Sequence, residues 1–358
     1  MSCERISVGT DPASELVVGA GALEEVAGFV GDRRVAVLTD ATVEKLHLRL
    51  LGPLADVPRL ALAPGEAAKS IARVEGVLDF LAGAGLDRAS LVVTFGGGVV
   101  SDLGGFAASL FLRGIDVVHC PTTLLAQCDA AIGGKTAVNL LAGKNLAGTF
   151  HHPRAVFLDP APLATLPTHE FRSGLGEVLK TAVVGGEELL TKVETMAHAA
   201  AAGDSEALTD LVAACARVKA EIVAADPRES GERAKLNLGH TFAHGIERAA
   251  GFGRIPHGEA VGLGVLLAAR AAHEVGIANG PQLEERLANS LERLGLCASL
   301  TALLERHDAK AAAADVLAAM THDKKGRGGK PLFVLPRGVG DLVHGVELPA
   351  ELVTKLLS

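Results

Sequence analysis

Short β-branched runs alternate with helical stretches through the first 160 residues, and from about residue 168 onward the apolar spacing turns helical throughout. RVAVLT (34–39), LVVTF (91–95), IDVVHC (115–120) and AVFLD (155–159) read as strands, with a helix expected at 43–51. Such alternation builds an α/β domain on a mostly parallel sheet, because parallel neighbours need a crossover and a helix supplies it. Helical spacing over 174–184, 187–202, 205–225, 234–250, 260–275 and 281–294 makes the second half mainly α, with a last strand at 331–335. Pro160 and Pro162 punctuate the change. Since 358 residues exceed one comfortable core, two domains are expected, 1–160 and 161–358.

Composition excludes several classes. A net charge of −8, with no Trp and no Tyr, argues against a nucleic-acid surface or a base-stacking platform. No apolar run is long enough to span a bilayer, and MSCERISVGTD lacks the apolar core of a signal peptide. Five cysteines without a C-x-x-C pair fit reduced thiols, so a cytoplasmic protein is expected.

Local anion-binding signals stand against this acidic background. FGGGVVSDLGG follows a strand and opens a helix, where glycines admit a phosphate to backbone N–H groups at the positive helix end. Its spacing is G-x-G-x-x-S, short of the full dinucleotide fingerprint, with Asp102 placed on the first turn. Asp40 lies at the carboxyl end of a strand, positioned to accept from a ribose or to cap the next helix. Glu66 and Lys69 are three apart and fit a surface pair. Between residues 130 and 153 the only formal charges are Lys135 and Lys144, each following glycine, as point charges offered to an anion or as exposed loop lysines. Thr122, Thr123, Asn139 and Asn145 add neutral donors, and Asp129 a base.

His240 and His244 share a helix face, and His257 follows a Gly/Pro loop that can fold it back onto them. Three imidazoles suit a catalytic cation such as zinc, although 13 histidines produce roughly half an H-x-x-x-H pair by chance. Glu177, on one helix face with Lys180, is a candidate carboxylate ligand or half of a surface ion pair. Lys219, Arg233 and Lys235 precede the histidines, and Lys324 and Lys325 follow.

The stretches PGEAAKS, FGGGVVSDLGGF, PTTLLAQCDAAIGGKTAVNLLAGKNLAGTFHHP, GLGEVLK, VKAEIVAADPRESGERAKLNLGHTFAHGIE, HGEAVGLG and DKKGRGGKPLFVLP together resemble the 3-dehydroquinate synthase family of sugar phosphate cyclases. The resemblance implies a Rossmann-like NAD-binding α/β domain and a helical metal-binding domain. It places Glu177, His240 and His257 on one zinc or cobalt ion and gives His244 to the substrate, in place of the three-histidine site that spacing suggests. It implies NAD contacts at Asp40, Glu66, Lys69, Gly97, Gly98, Asp102, Thr122, Thr123, Lys144 and Thr165. Lys135, Asn145, Asn237, His244 and Lys324 would hold substrate phosphate, with Arg113 reaching from a second subunit of a homodimer. Asp129 and Lys180 would stand near the reacting hydroxyls, and Lys219 and Arg233 would receive a carboxylate. The implied reaction turns 3-deoxy-D-arabino-heptulosonate 7-phosphate into 3-dehydroquinate and phosphate. Other sugar phosphate cyclases, metal-dependent polyol dehydrogenases of similar fold, and an idle nucleotide-binding scaffold are the competing readings.

Overall fold

The computed structural model describes residues 3–321 and 330–358. The chain divides into two compact units, residues 1–166 with 208–228, and residues 167–207 with 229–358. A single cut at 160/161 does not reproduce this division, because most of one long helix from the helical half belongs to the first unit.

In the first unit the elements run β1 (Glu4–Val8), β2 (Ser14–Val18), α1 (Val26–Val30), β3 (Val35–Asp40), α2 (Ala41–His47), β4 (Arg59–Leu62), α3 (Ile71–Gly83), β5 (Leu91–Gly96), α4 (Gly98–Leu110), β6 (Asp116–Pro121), β7 (Lys135–Leu140), β8 (Gly143–Phe150) and β9 (Ala155–Leu158). Among the described residues a seven-stranded sheet has the order β1-β2-β9-β6-β5-β3-β4. All its neighbours are parallel except β1 with β2. Alternate residues explain why helices cover both faces. Val35 and Val37 join Val26 and Val30 in one core, while Ala36 and Leu38 join Val74, Val77 and Leu103 in the other.

From β3 the chain goes outward to β4 and then returns to the other side of β3 as β5. The carboxyl ends of β3 and β5 therefore flank a topological switch point, the place where such sheets open a crevice.

Two strand pairs escape the sequence reading. The β1–β2 hairpin begins in polar residues, and β7–β8 is an antiparallel pair hidden in a glycine-rich run. The helix expected at 43–51 stops at His47 and tightens into a 3-10 run, Leu48–Asp56, interrupted at Gly52 with φ 55°.

The second unit contains α5 (Thr168–Gly185), α6 (Glu187–Ala201), the start of α7 (Ser205–Ala225), α8 (His240–Ala250), α9 (His257–Glu274), α10 (Gln282–Arg293), α11 (Leu300–Arg306), α12 (Ala313–Thr321), the antiparallel pair β10 (Phe333–Gly338) and β11 (Asp341–Val346), and α13 (Ala350–Leu357). The helix expected over 234–250 is broken: Glu232–Asn237 is 3-10, and Gly239 turns at φ 78° before α8 begins. A Cβ on Gly239 would stand 2.7 Å from Val265 N, so this turn against α9 requires glycine. Its consequence is that His240 starts a helix instead of lying within one.

Candidate functional site

Three helices of the second unit deliver the acid and the imidazoles. Glu177 sits mid-way along α5, His240 opens α8 and His257 opens α9. Glu177 Oε1 lies 3.7 Å from His240 Nε2 and 3.4 Å from His257 Nε2. Two tetrahedral ligands each about 2.05 Å from a zinc ion stand roughly 3.3–3.4 Å apart, so this spacing suits donors that share a cation.

The surroundings reinforce that fit. Lys180 Nζ is 2.7 Å from Glu177 Oε2 as an ion pair, with both side chains 1% exposed, which corrects the surface pair considered from sequence. Oε2 is thereby occupied by the ammonium, which leaves Oε1 as the oxygen turned to the two imidazoles. His240 Nδ1 faces the Leu238 carbonyl at 3.3 Å, which settles its proton there and turns the Nε2 lone pair to Glu177. Burial pulls the His257 imidazole down, but Glu247 and Glu177 outweigh it and hold it up to about 10, so this point favours positive charge.

His244 belongs to the same cluster, its ring 5.6 Å from that of His240 and 5.9 Å from that of His257. Donor atoms converge in two groups, Glu177–His240–His257 and His244–Glu247–His257. Asn237 donates to Glu229 Oε1 at 2.7 Å, and Arg233 is 1% exposed. Lys324 lies outside the described residues.

In the first unit, Gly97 caps α4 at the switch point without a side-chain bond to the helix start. A Cβ there would come 3.0 Å from Thr123 Cγ2, and one on Gly98 3.3 Å from Ala130, so the glycines keep the backbone accessible. Asp40 at the end of β3 caps α2 through Oδ1, accepting from Thr42 N and Val43 N. The cap observed here leaves Oδ2 outside those two bonds.

Lys69 does not form the expected surface pair with Glu66. It is 5% exposed and reaches Asp102 Oδ2 and Asn145 Oδ1, each at 2.5 Å, while Glu66 accepts from Asn139 Nδ2 at 2.7 Å. Asp102 lies a turn further into α4 than the first-turn position read from sequence. Burial pushes its carboxyl up, against the pull of Lys69.

Thr122 is buried, and Thr123 Oγ1 accepts from Ala126 N to start the π-helical turn Ala126–Ala130. That turn presents Asp129, whose carboxylate and carbonyl both accept from Lys219 on α7. Lys135 is exposed and Lys144 half-buried. Arg113 is exposed at φ 72°, and Thr165 Oγ1 pairs with His47 Nε2 at 2.6 Å instead of joining the lysine cluster.

The sequence reading missed Glu247 and Glu229. Glu247 was findable, since His240, His244 and Glu247 at i, i+4 and i+7 form one stripe on α8. Glu229, at φ 57° in an irregular segment, carried no such signal.

An α/β unit with a glycine cradle at its switch point, together with a helical unit gathering an acid and imidazoles, defines a class of two-unit proteins built to hold an anion and a cation. Models of the 3-dehydroquinate synthase N-terminal and C-terminal regions match residues 59–173 and 174–326. A 3-dehydroquinate synthase of Opitutus terrae is 42% identical over 327 residues, 90% of this chain and 88% of its own. That of Caulobacter vibrioides is 43% identical over 340 residues, 92% and 91% of the two chains. The chain belongs to the 3-dehydroquinate synthase family. Among solved structures, 2-epi-5-epi-valiolone synthase from Streptomyces hygroscopicus, with NAD+ and Zn2+ bound, is similar at TM-score 0.83 and 28% identity over 99% of this chain and 98% of its own. A structure described as a probable glycerol dehydrogenase from Sinorhizobium meliloti 1021 shares the fold at TM-score 0.66 and 17% identity over 96% of this chain and 94% of its own.

Proposed function

We propose that this protein is a phosphate-eliminating carbon–oxygen lyase that converts 3-deoxy-D-arabino-heptulosonate 7-phosphate to 3-dehydroquinate, using NAD catalytically and one zinc or cobalt ion. The observation that carries the reading is the convergence of Glu177 Oε1 with the Nε2 atoms of His240 and His257. Bound NAD supplies a transient hydride acceptor and the divalent ion supplies Lewis acidity.

The chain's own groups do the remaining work. Gly97, Gly98, Asp40, Glu66, Lys69, Asp102, Thr122, Thr123, Lys144 and Thr165 bind the dinucleotide. Lys135, Asn145, Asn237, His244 and Lys324 bind the substrate phosphate and keep it oriented for departure. Lys219 and Arg233 receive the carboxylate, a point charge and a planar fork suited to that anion. Asp129 and Lys180 stand for proton movement at the hydroxyls, and holding both ends of one molecule favours the closing aldol step.

We also place the enzyme in the cytoplasm as a homodimer with Arg113 directed to the second copy. The five free thiols support a reducing compartment. Leu110 and Leu112, exposed by 45% and 41% beside Arg113, support a covered surface there. No helix among the described residues is long and apolar enough to cross a membrane.

The test mixes protein, zinc or cobalt, substoichiometric NAD and the heptulosonate phosphate, and follows phosphate and carbocycle together. Equal yields of both, exceeding the NAD present, are expected. NADH accumulating in step with substrate loss would instead make the protein a net dehydrogenase.

A further inference from the structure

We propose that Glu247 is a positioning residue for the cation centre, fixing the orientation of His257 and thereby the strength with which the ion is held. The inference rests on the reading of Glu177, His240 and His257 as the ligand set.

Glu247 is 1% exposed on α8, and its Oε2 is 2.9 Å from His257 Nδ1. A carboxylate at that distance accepts the Nδ1 proton, so when a cation displaces the second proton the nitrogen left to donate is Nε2, on the side where Glu177 Oε1 stands at 3.4 Å. The bond joins the second turn of α8 to the first residue of α9, locking the ring across two helices.

The two histidine ligands are consequently not equivalent. His240 has a neutral carbonyl, Leu238 O, 3.3 Å from its Nδ1. His257 has a buried carboxylate at a shorter distance, which raises the basicity of its Nε2. His257 is therefore the stronger donor, and Glu247 is what makes it so.

A competing role for Glu247 is direct ligation within the group His244, Glu247 and His257. Distance argues against it. The 2.9 Å between Glu247 Oε2 and His257 Nδ1 is a hydrogen-bond length, shorter than the roughly 3.3 Å that separates two tetrahedral ligands of one zinc ion.

The test compares wild type with Glu247→Gln and Glu247→Asp in the full chain. Each is stripped with chelator and titrated with zinc against a chromophoric competitor, then with cobalt to record the visible absorption band. Both variants are expected to bind one equivalent, with affinity lowered about 10- to 100-fold in Glu247→Gln and an altered cobalt band. Glu247→Asp keeps the charge but shortens the reach, and should fall between. Metal-free melting curves and NAD affinity should match wild type, and saturating zinc should restore turnover. Wild-type affinity and cobalt spectrum in both variants would overturn the proposal. So would a wild type that takes up two equivalents where Glu247→Gln takes one, since Glu247 would then be a ligand. A wild type that binds no cation would sink the ligand set itself, a separate failure. If Glu247→Gln does not fold, Glu247→Asp alone decides, through its affinity and band.

Discussion

Gly176 on α5 and Gly258 on α9 touch backbone to backbone: a Cβ on Gly176 would lie 1.8 Å from Gly258 O, and one on Gly258 would lie 1.7 Å from Ser173 O. Each glycine is the chain neighbour of a proposed ligand, Glu177 and His257. A second contact of the same kind joins Gly239, next to His240, to Gly264 on α9, whose added Cβ would come 2.2 Å from Gly239 O. Helix spacing at these contacts therefore sets the spacing of the three donors.

Gly258→Ala should separate α5 from α9 and cost about 3 kcal/mol or more, because backbone atoms cannot yield as a flexible side chain can. Zinc stoichiometry should fall with it, since the separation acts beside Glu177 and His257. Gly28→Ala is the control, with nothing within 4 Å of the added Cβ. Melting temperature and bound zinc measured on the three proteins decide the matter. A Gly258→Ala protein with full zinc and unchanged melting would dismiss the glycine contact as the spacer.

Lys69→Met should strand the Asp102 carboxylate, which burial already pushes toward protonation. Removing one member of a buried pair costs about 3–5 kcal/mol, less here because Asp102 keeps some solvent access. The double variant Lys69→Met with Asp102→Asn should recover part of that loss, giving a coupling of about 1–3 kcal/mol in a double-mutant cycle. Denaturant unfolding measures the cycle, and NAD titration should show weaker binding in all three variants. Additive losses would show that the 2.5 Å contact carries no coupling.

The parts of this architecture that were legible in the sequence are those written in local pattern. The strands β3, β5, β6 and β9 announced themselves as β-branched runs, and the glycine turn after β5 as a helix opening. Histidine spacing alone pointed to His240, His244 and His257, and it was the family resemblance that replaced His244 with Glu177. Spacing could not choose between them because all three rings do cluster. The inward turn of Lys69 was illegible for another reason. Its partner Asn145 is 76 residues away on a hairpin whose second strand, GKNLAGTF, is interrupted by glycines and carries little β signal. The break before α8 was hidden too, since it answers to the approach of α9 at Gly239, a demand made by packing alone.

His119 supplies a pH prediction remote from the cation centre. It is buried on β6, with Nδ1 2.7 Å from Thr94 Oγ1, and burial, aided by His151, lowers its pKa from 6.5 to about 3. Between those values the unfolded chain binds the proton that the folded chain refuses, so stability is full above about pH 6.5 and declines as pH falls toward 3. The loss attributable to this group should reach about 2 kcal/mol by roughly pH 5, at about 1.4 kcal/mol per unit. His119→Gln should flatten that part of the profile, whatever constant offset the substitution adds. Unfolding free energies at several pH values between 7 and 5 test this, and parallel profiles for the two proteins would refute it.

Arg233 tests the carboxylate assignment directly. Arg233 is 1% exposed, and a buried guanidinium offers paired N–H groups that suit a planar anion. Arg233→Lys keeps the charge but replaces the fork with a point donor. Losing a charge-assisted bond of about 1.5–3 kcal/mol should raise KM for the heptulosonate phosphate roughly 10- to 150-fold. NAD affinity and zinc content should remain those of wild type, which separates a substrate defect from a folding one. A substrate analogue lacking the carboxylate sharpens the comparison, because the variant should handle it as well as wild type does. Equal penalties on both substrates would mean that Arg233 serves the protein's own packing, and the carboxylated sugar would lose its principal physical support.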